Sequence, residues 1–135
     1  MSTNKSEHAK KEYKSYADMH TWKVGHEVNL QLETLMQEYR DEVRLQPWCD
    51  ELTQTLRDAM VQVMEGFYKY GNQEKLRRYE AALYYVHKAQ YTLQLGQALG
   101  WWSAEEFLGQ LDEFEKVLRQ TRFHFVEKNG KNDDA

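Results

Sequence analysis

The sequence predicts an all-α protein, an antiparallel up-down-up-down four-helix bundle, and three observations predict it. Apolar residues recur every three or four positions through four long segments, the spacing that lines one face of a helix. With 7 Gly and 1 Pro in 135 residues, the chain is poor in the turn residues a mainly β protein needs. The stretches between the segments are only a few residues long, so consecutive helices must run antiparallel.

At this length one domain with one core is expected, burying roughly 68–70% of its unfolded surface. Residues 1–15 are polar and carry no apolar stripe, which predicts a flexible arm; 16–127 should form the bundle and 128–135 a flexible tail.

The first helix, about 17–43, follows Val24, Val28, Leu32, Leu35, Tyr39 and Val43, with Trp22, Leu30 and Met36 widening the face. Pro47 breaks this pattern and Asp50 is placed to cap the second helix. That helix uses Leu52, Leu56, Ala59, Met60, Val63 and Phe67, and Gly71 and Asn72 supply its stop. The third, about 73–99, follows Leu76, Tyr79, Leu83, Val86, Gln90 and Leu93. Its other flank carries Tyr84, Tyr91, Leu95 and Ala98, which suggests a second packing partner.

In "LGWWSAEEF", Gly100 is placed to close the third helix, and Ser103 with Glu106 matches a capping box that opens the fourth. The fourth helix then uses Phe107, Leu111, Phe114, Leu118, Thr121 and Phe125. Two adjacent tryptophans in a corner rarely point the same way. Trp102 is therefore an expected subunit contact together with Tyr84 and Tyr91, since such aromatics anchor interfaces.

No run of about 18 apolar residues occurs and the amino end is polar, so neither a membrane span nor a signal peptide is expected and the cytoplasm is the default compartment. One cysteine, Cys49, excludes an intramolecular disulfide and a cysteine-based zinc site within the sequence.

The net charge of −4 argues against indiscriminate nucleic-acid binding, but it is unevenly spread. Residues 16–65 carry −6 and 103–115 carry −5, while 66–102 carry +3 and 116–131 carry +4. A fold that joins the 66–78 and 116–128 blocks would have a basic end despite the acidic total. Lys69, Lys75, Arg77 and Arg78, interleaved with Tyr68, Tyr70 and Tyr79, and Lys116, Arg119 and Arg122 are the candidate nucleic-acid contacts. Cations meet phosphate, and aromatic faces stack on unpaired bases.

No enzyme motif is present. A carboxylate-bridged di-metal bundle needs Glu-x-x-His, and none of the five histidines has Glu three residues before it. His87, beside Leu83 and Gln90, reads as a hydrogen-bonded core or interface histidine, and Glu65 as a structural acid bonded to a neighbouring helix or subunit. No nucleotide-binding glycine loop or nucleophile elbow occurs. No catalytic residue, metal or cofactor is expected.

The stretch "LTQTLRDAMVQVMEGFYKYGNQEKLRRYEAALYYVHKAQYTLQLGQALGWWSAEEF" resembles the central part of the four-helix-bundle superfamily of 23S rRNA intervening-sequence proteins. Glu65 and Gly66 stand where that superfamily has its Glu-Gly pair, and Leu99, Gly100 and Ser103 resemble its corner between helices three and four. The intervening-sequence branch has a Ser-Ile-Pro-Ser-Asn-Ile-like run before that pair. "AMVQVMEG" here is more similar to the accessory variability determinant proteins of diversity-generating retroelements. That resemblance implies a homopentameric, non-enzymatic barrel that binds a reverse transcriptase and its template RNA, or an RNA/DNA hybrid, during mutagenic cDNA synthesis. Those proteins are typically basic, whereas this chain is acidic. The alternative is a protein–protein scaffold of the intervening-sequence type with no nucleic-acid role.

Overall fold

The computed structural model describes residues 14–134, with side chains through Lys128. All but the last two residues of the expected amino-terminal arm, Lys14 and Ser15, lie outside that range. Among the described residues there are four long helices and no strand: α1 (His20–Gln37), α2 (Gln46–Tyr68), α3 (Asn72–Ala98) and α4 (Glu105–Asp134). Short 3-10 turns at Tyr16–Asp18 and Val43–Leu45 precede α1 and α2.

The helices pack in a closed ring, α1 on α2, α2 on α3, α3 on α4 and α4 on α1, with no close backbone approach between diagonal helices among the described residues. Cross-links fix the directions. Glu33 pairs with Arg57 while the later Arg40 pairs with the earlier Asp50. Gln62 meets Arg78 while Glu51 meets Lys88. Glu80 meets Arg122 while Gln90 meets Asp112. Each adjacent pair is therefore antiparallel, and up-down-up-down is the topology that short connections permit.

The predicted stripes form one core: Val28, Leu32 and Met36 of α1, Leu52, Leu56 and Val63 of α2, Tyr79, Val86 and Leu93 of α3, and Leu111, Phe114 and Leu118 of α4 are buried. Burying a side chain of this size is worth about 1.5–3 kcal/mol, so the stripe is what holds each helix in place. Thr21 and Thr121 join α1 to α4 through their hydroxyls at 2.8 Å. Because the Thr121 proton goes to the Val117 carbonyl at 3.0 Å, Thr21 is the donor of the pair.

Several boundaries differ from the sequence reading. α1 stops at Gln37, so Val43 is 77% exposed in the turn instead of extending the stripe, and Leu30 also faces solvent. Pro47 does not precede α2 but lies in its first turn, where the missing N–H costs nothing. Asp50 is consequently inside the helix and pairs with Arg40 at 3.6 Å instead of capping. Gly71, at φ 81, is the N-cap of α3, since the chain has already left α2 at the extended Lys69.

At the tryptophan corner Gly100 takes φ 78 as expected. The Trp101 N–H donates to the Gly96 carbonyl at 2.8 Å and the Gly100 N–H to Gln97 at 3.1 Å, the paired bonds of a Schellman stop. The start of α4 falls one residue later than the capping box predicts. Its first bond runs from the Leu108 N–H to the Ala104 carbonyl at 2.8 Å, which makes Ala104 the N-cap. The Ala104 N–H is taken by Gln97 Oε1 at 2.9 Å and the Ser103 N–H by the Tyr39 hydroxyl at 3.4 Å. The carboxyl end also differs, because α4 continues to Asp134 through the expected tail.

Candidate functional site

The antiparallel pairing of α3 with α4 brings the start of α3 beside the end of α4, and α1 begins at the same end of the bundle. The 66–78 block and the carboxyl-terminal end of the 116–128 block therefore meet there. Between them lies a groove of about 1080 Å³ whose walls include Lys69, Lys75 and Lys128, His20 and His124, and Tyr68 and Tyr70. No Asp or Glu is among the described residues that line it.

Lys75 forms part of the groove's floor. Its Nζ donates to the Gly66 carbonyl at 2.9 Å and the Phe67 carbonyl at 3.1 Å, two acceptors left without helical partners at the end of α2. Burial, and then the nearby Lys128 ammonium, lowers its pKa. Lys69 lies at the rim and pairs with Glu65 at 3.6 Å. Glu65 thus bonds a residue just beyond its own helix, not a neighbouring helix.

Tyr79 behaves differently from the other tyrosines of the cluster. It is buried, stacks on Phe125 with ring centroids 5.5 Å apart, and burial pushes its phenol up to about 12. Its ring is unavailable to a base. Tyr70, by contrast, is 94% exposed, and Tyr68 is also exposed.

The seven predicted cations do not form one patch. Lys69 and Lys75 enter the groove. Arg77 stands on the outer face of α3 and pairs with Glu74 at 3.1 Å. Arg78 lies at the α2–α3 seam with Nη1 on Gln62 at 3.2 Å, and Arg122 lies at the α3–α4 seam with Nη1 4.0 Å from Glu80. Lys116 pairs with Glu113 at 3.5 Å, and Arg119 with Glu115 at 2.7 Å.

Glu115 centres a polar cluster on the α3–α4 seam. It accepts from Gln90 at 2.8 Å and Arg119 at 2.7 Å and lies 3.2 Å from His87 Nε2. The Gln90 bond, followed by those from Arg119 and His87, holds the carboxyl down at about 2 against the cost of burial. His87 is thus hydrogen-bonded, but at an exposed seam and not in the core.

Of the predicted subunit contacts, Tyr84 and Tyr91 are 62% and 64% exposed on one face of α3. Trp102 is not on the surface: it is 5% exposed, seals this chain's own core, and donates its indole N–H to the Leu93 carbonyl at 3.0 Å. Trp101 is the partly buried member of the pair and packs on Trp48 with ring centroids 5.0 Å apart. The short loop allows only one ring to turn inward, and Gly96 opposite Trp102 leaves the space for it.

Sequence reasoning missed His20, His124 and Lys128. They come from the start of α1 and the end of α4, so no local pattern joins them to Lys69. A second groove, about 720 Å³ between α1 and α4, is lined by Glu27, Glu38, Glu105 and Glu106 and has the opposite character. No three His, Cys, Asp or Glu side chains converge to hold a metal ion among the described residues, and no helix among them is long and apolar enough to cross a membrane. No protein-family model, curated protein or solved structure matches the chain.

Proposed function

We propose that this protein is a non-enzymatic, oligomeric nucleic-acid-binding bundle that works beside a reverse transcriptase in the cytoplasm, as the accessory protein of a diversity-generating retroelement. The supporting observation is the end groove, where basic blocks far apart in sequence meet and the described lining holds three lysines and no carboxylate. A cluster of this kind attracts phosphate, and its local field counts for more than the chain's total charge. The family resemblance supplies the polymerase partner and the homopentamer. Tyr84 and Tyr91 are the surface offered for subunit contact.

Gel-shift titration of the purified full chain with structured RNA at rising salt tests the reading. Binding should weaken linearly in log salt, because each neutralised phosphate releases counterions. Absence of a shift at low salt overturns it. Light scattering on a sizing column tests the pentamer, and a strictly monomeric species overturns that part.

The scaffold reading is favoured by one observation, the exposed tyrosine pair on α3. Under it, reversing Lys69 and Lys128 to Glu leaves capture of a protein partner unchanged and the protein never shifts RNA.

A further inference from the structure

We infer that the end groove receives the unpaired nucleotides of a single strand and excludes the double helix. This deepens the nucleic-acid reading and rests on it.

Electrostatics select the charge. Lys75 and Lys128 both line the groove, and burial first, then the Lys128 ammonium, lowers the Lys75 pKa. A phosphate set between them relieves that repulsion. Two of the three Lys75 N–H groups are held by the Gly66 and Phe67 carbonyls, so the cation is fixed before any ligand arrives and little side-chain entropy is lost on binding.

The aromatic rings select the strand. Tyr70, on the groove's wall, is 94% exposed, and no other aromatic ring packs against it among the described residues. A bare ring at a cationic groove is a stacking platform, worth about 1–3 kcal/mol per base to a strand whose bases are free. A double helix turns its base faces inward against one another and offers the groove only phosphates. At about 1080 Å³ the cleft is on the scale of a small-ligand pocket, which suits a few flexible nucleotides and not the face of a duplex.

Fluorescence anisotropy with the full-length protein decides it, using a labelled oligouridine of about ten nucleotides, within the span of known single-strand sites, and an RNA duplex of the same length. The oligouridine should bind at least about tenfold tighter than the duplex, the ratio that one stacked base supplies. Tyr70→Ala, at a residue with almost no contacts to lose, should weaken oligouridine binding about five- to a hundredfold and leave the duplex unchanged. Lys128→Glu should weaken oligouridine binding and lower its salt slope by about one or more. Equal or tighter duplex binding, or an oligouridine affinity indifferent to Tyr70→Ala, overturns the inference and leaves the nucleic-acid reading standing. Failure of both probes to bind, with structured RNA also unshifted, overturns both.

Discussion

The indole N–H of Trp102 donates to the Leu93 carbonyl at 3.0 Å from a place that only a glycine at position 96 leaves open. A Cβ on Gly96 would clash with the edge of the Trp102 ring. The Schellman stop at Gly100 and this contact, one turn apart, together fold the corner over the end of the core.

Gly96→Ala should therefore destabilise the protein, because overpacking a rigid ring costs about 1–3 kcal/mol and exceeds the alanine's gain in helix propensity. Denaturant unfolding followed by tryptophan fluorescence measures it. An unchanged midpoint would mean that Trp102 does not occupy this site.

Lys75→Met should cost about 1.5–3 kcal/mol, since it removes a charged donor from two helix-end carbonyls and keeps the aliphatic stem. Lys69→Met, which loses a surface ion pair, should stay within about 1 kcal/mol of the parent. Equal effects in chemical denaturation would deny Lys75 its capping role.

Glu115 makes a pH prediction. Its folded carboxyl titrates near 2, below the 4.5 expected of a free one, so its contribution is present above about 4.5 and lost as pH falls toward 2. Solvent reaches the seam and screens it, which reduces the contribution to about 1–2 kcal/mol. Glu115→Gln should lose this stability at neutral pH and differ little from the parent at pH near 2. A constant gap across that range, read by urea denaturation, would contradict the assignment.

Thr21 and Thr121 should be energetically coupled. Thr21→Val leaves the half-buried Thr121 hydroxyl with less to bind and should cost about 1 kcal/mol, while changing both to Val should cost less than the two single changes together. Additive costs in a double-mutant cycle would mean that the 2.8 Å contact contributes nothing.

Most of the core was legible in the sequence because burial follows the helical repeat: Leu32, Leu56, Val86 and Leu111 are buried where the stripe places them. The ends were harder to read, since a cap is chosen by whatever acceptor lies nearby. Ser103 looks like a cap in sequence, but Tyr39 and Gln97 reach the neighbouring amides first. The groove was half legible. Lys69 and Lys75 belong to a local cluster, whereas His20, His124 and Lys128 join them only through the antiparallel return of α4 and the start of α1. Arg78 and Arg122 show the reverse failure: helical phase turned their guanidinium groups into seams, where sequence proximity to other cations has no bearing.

The antiparallel ring also gathers charge by sign. Lys69, Lys75 and Lys128 share one end of the bundle, while Glu38, Glu42, Glu105 and Glu106 cluster toward the other. A chain with a net charge of −4 thereby carries a lysine-bearing end and a glutamate-bearing end. In the field of a polyanion such a body feels a torque before it feels contact. Under the nucleic-acid reading it turns its lysine end forward, so encounters that are repulsive on average become productive in one orientation, and added salt should slow association by erasing that alignment.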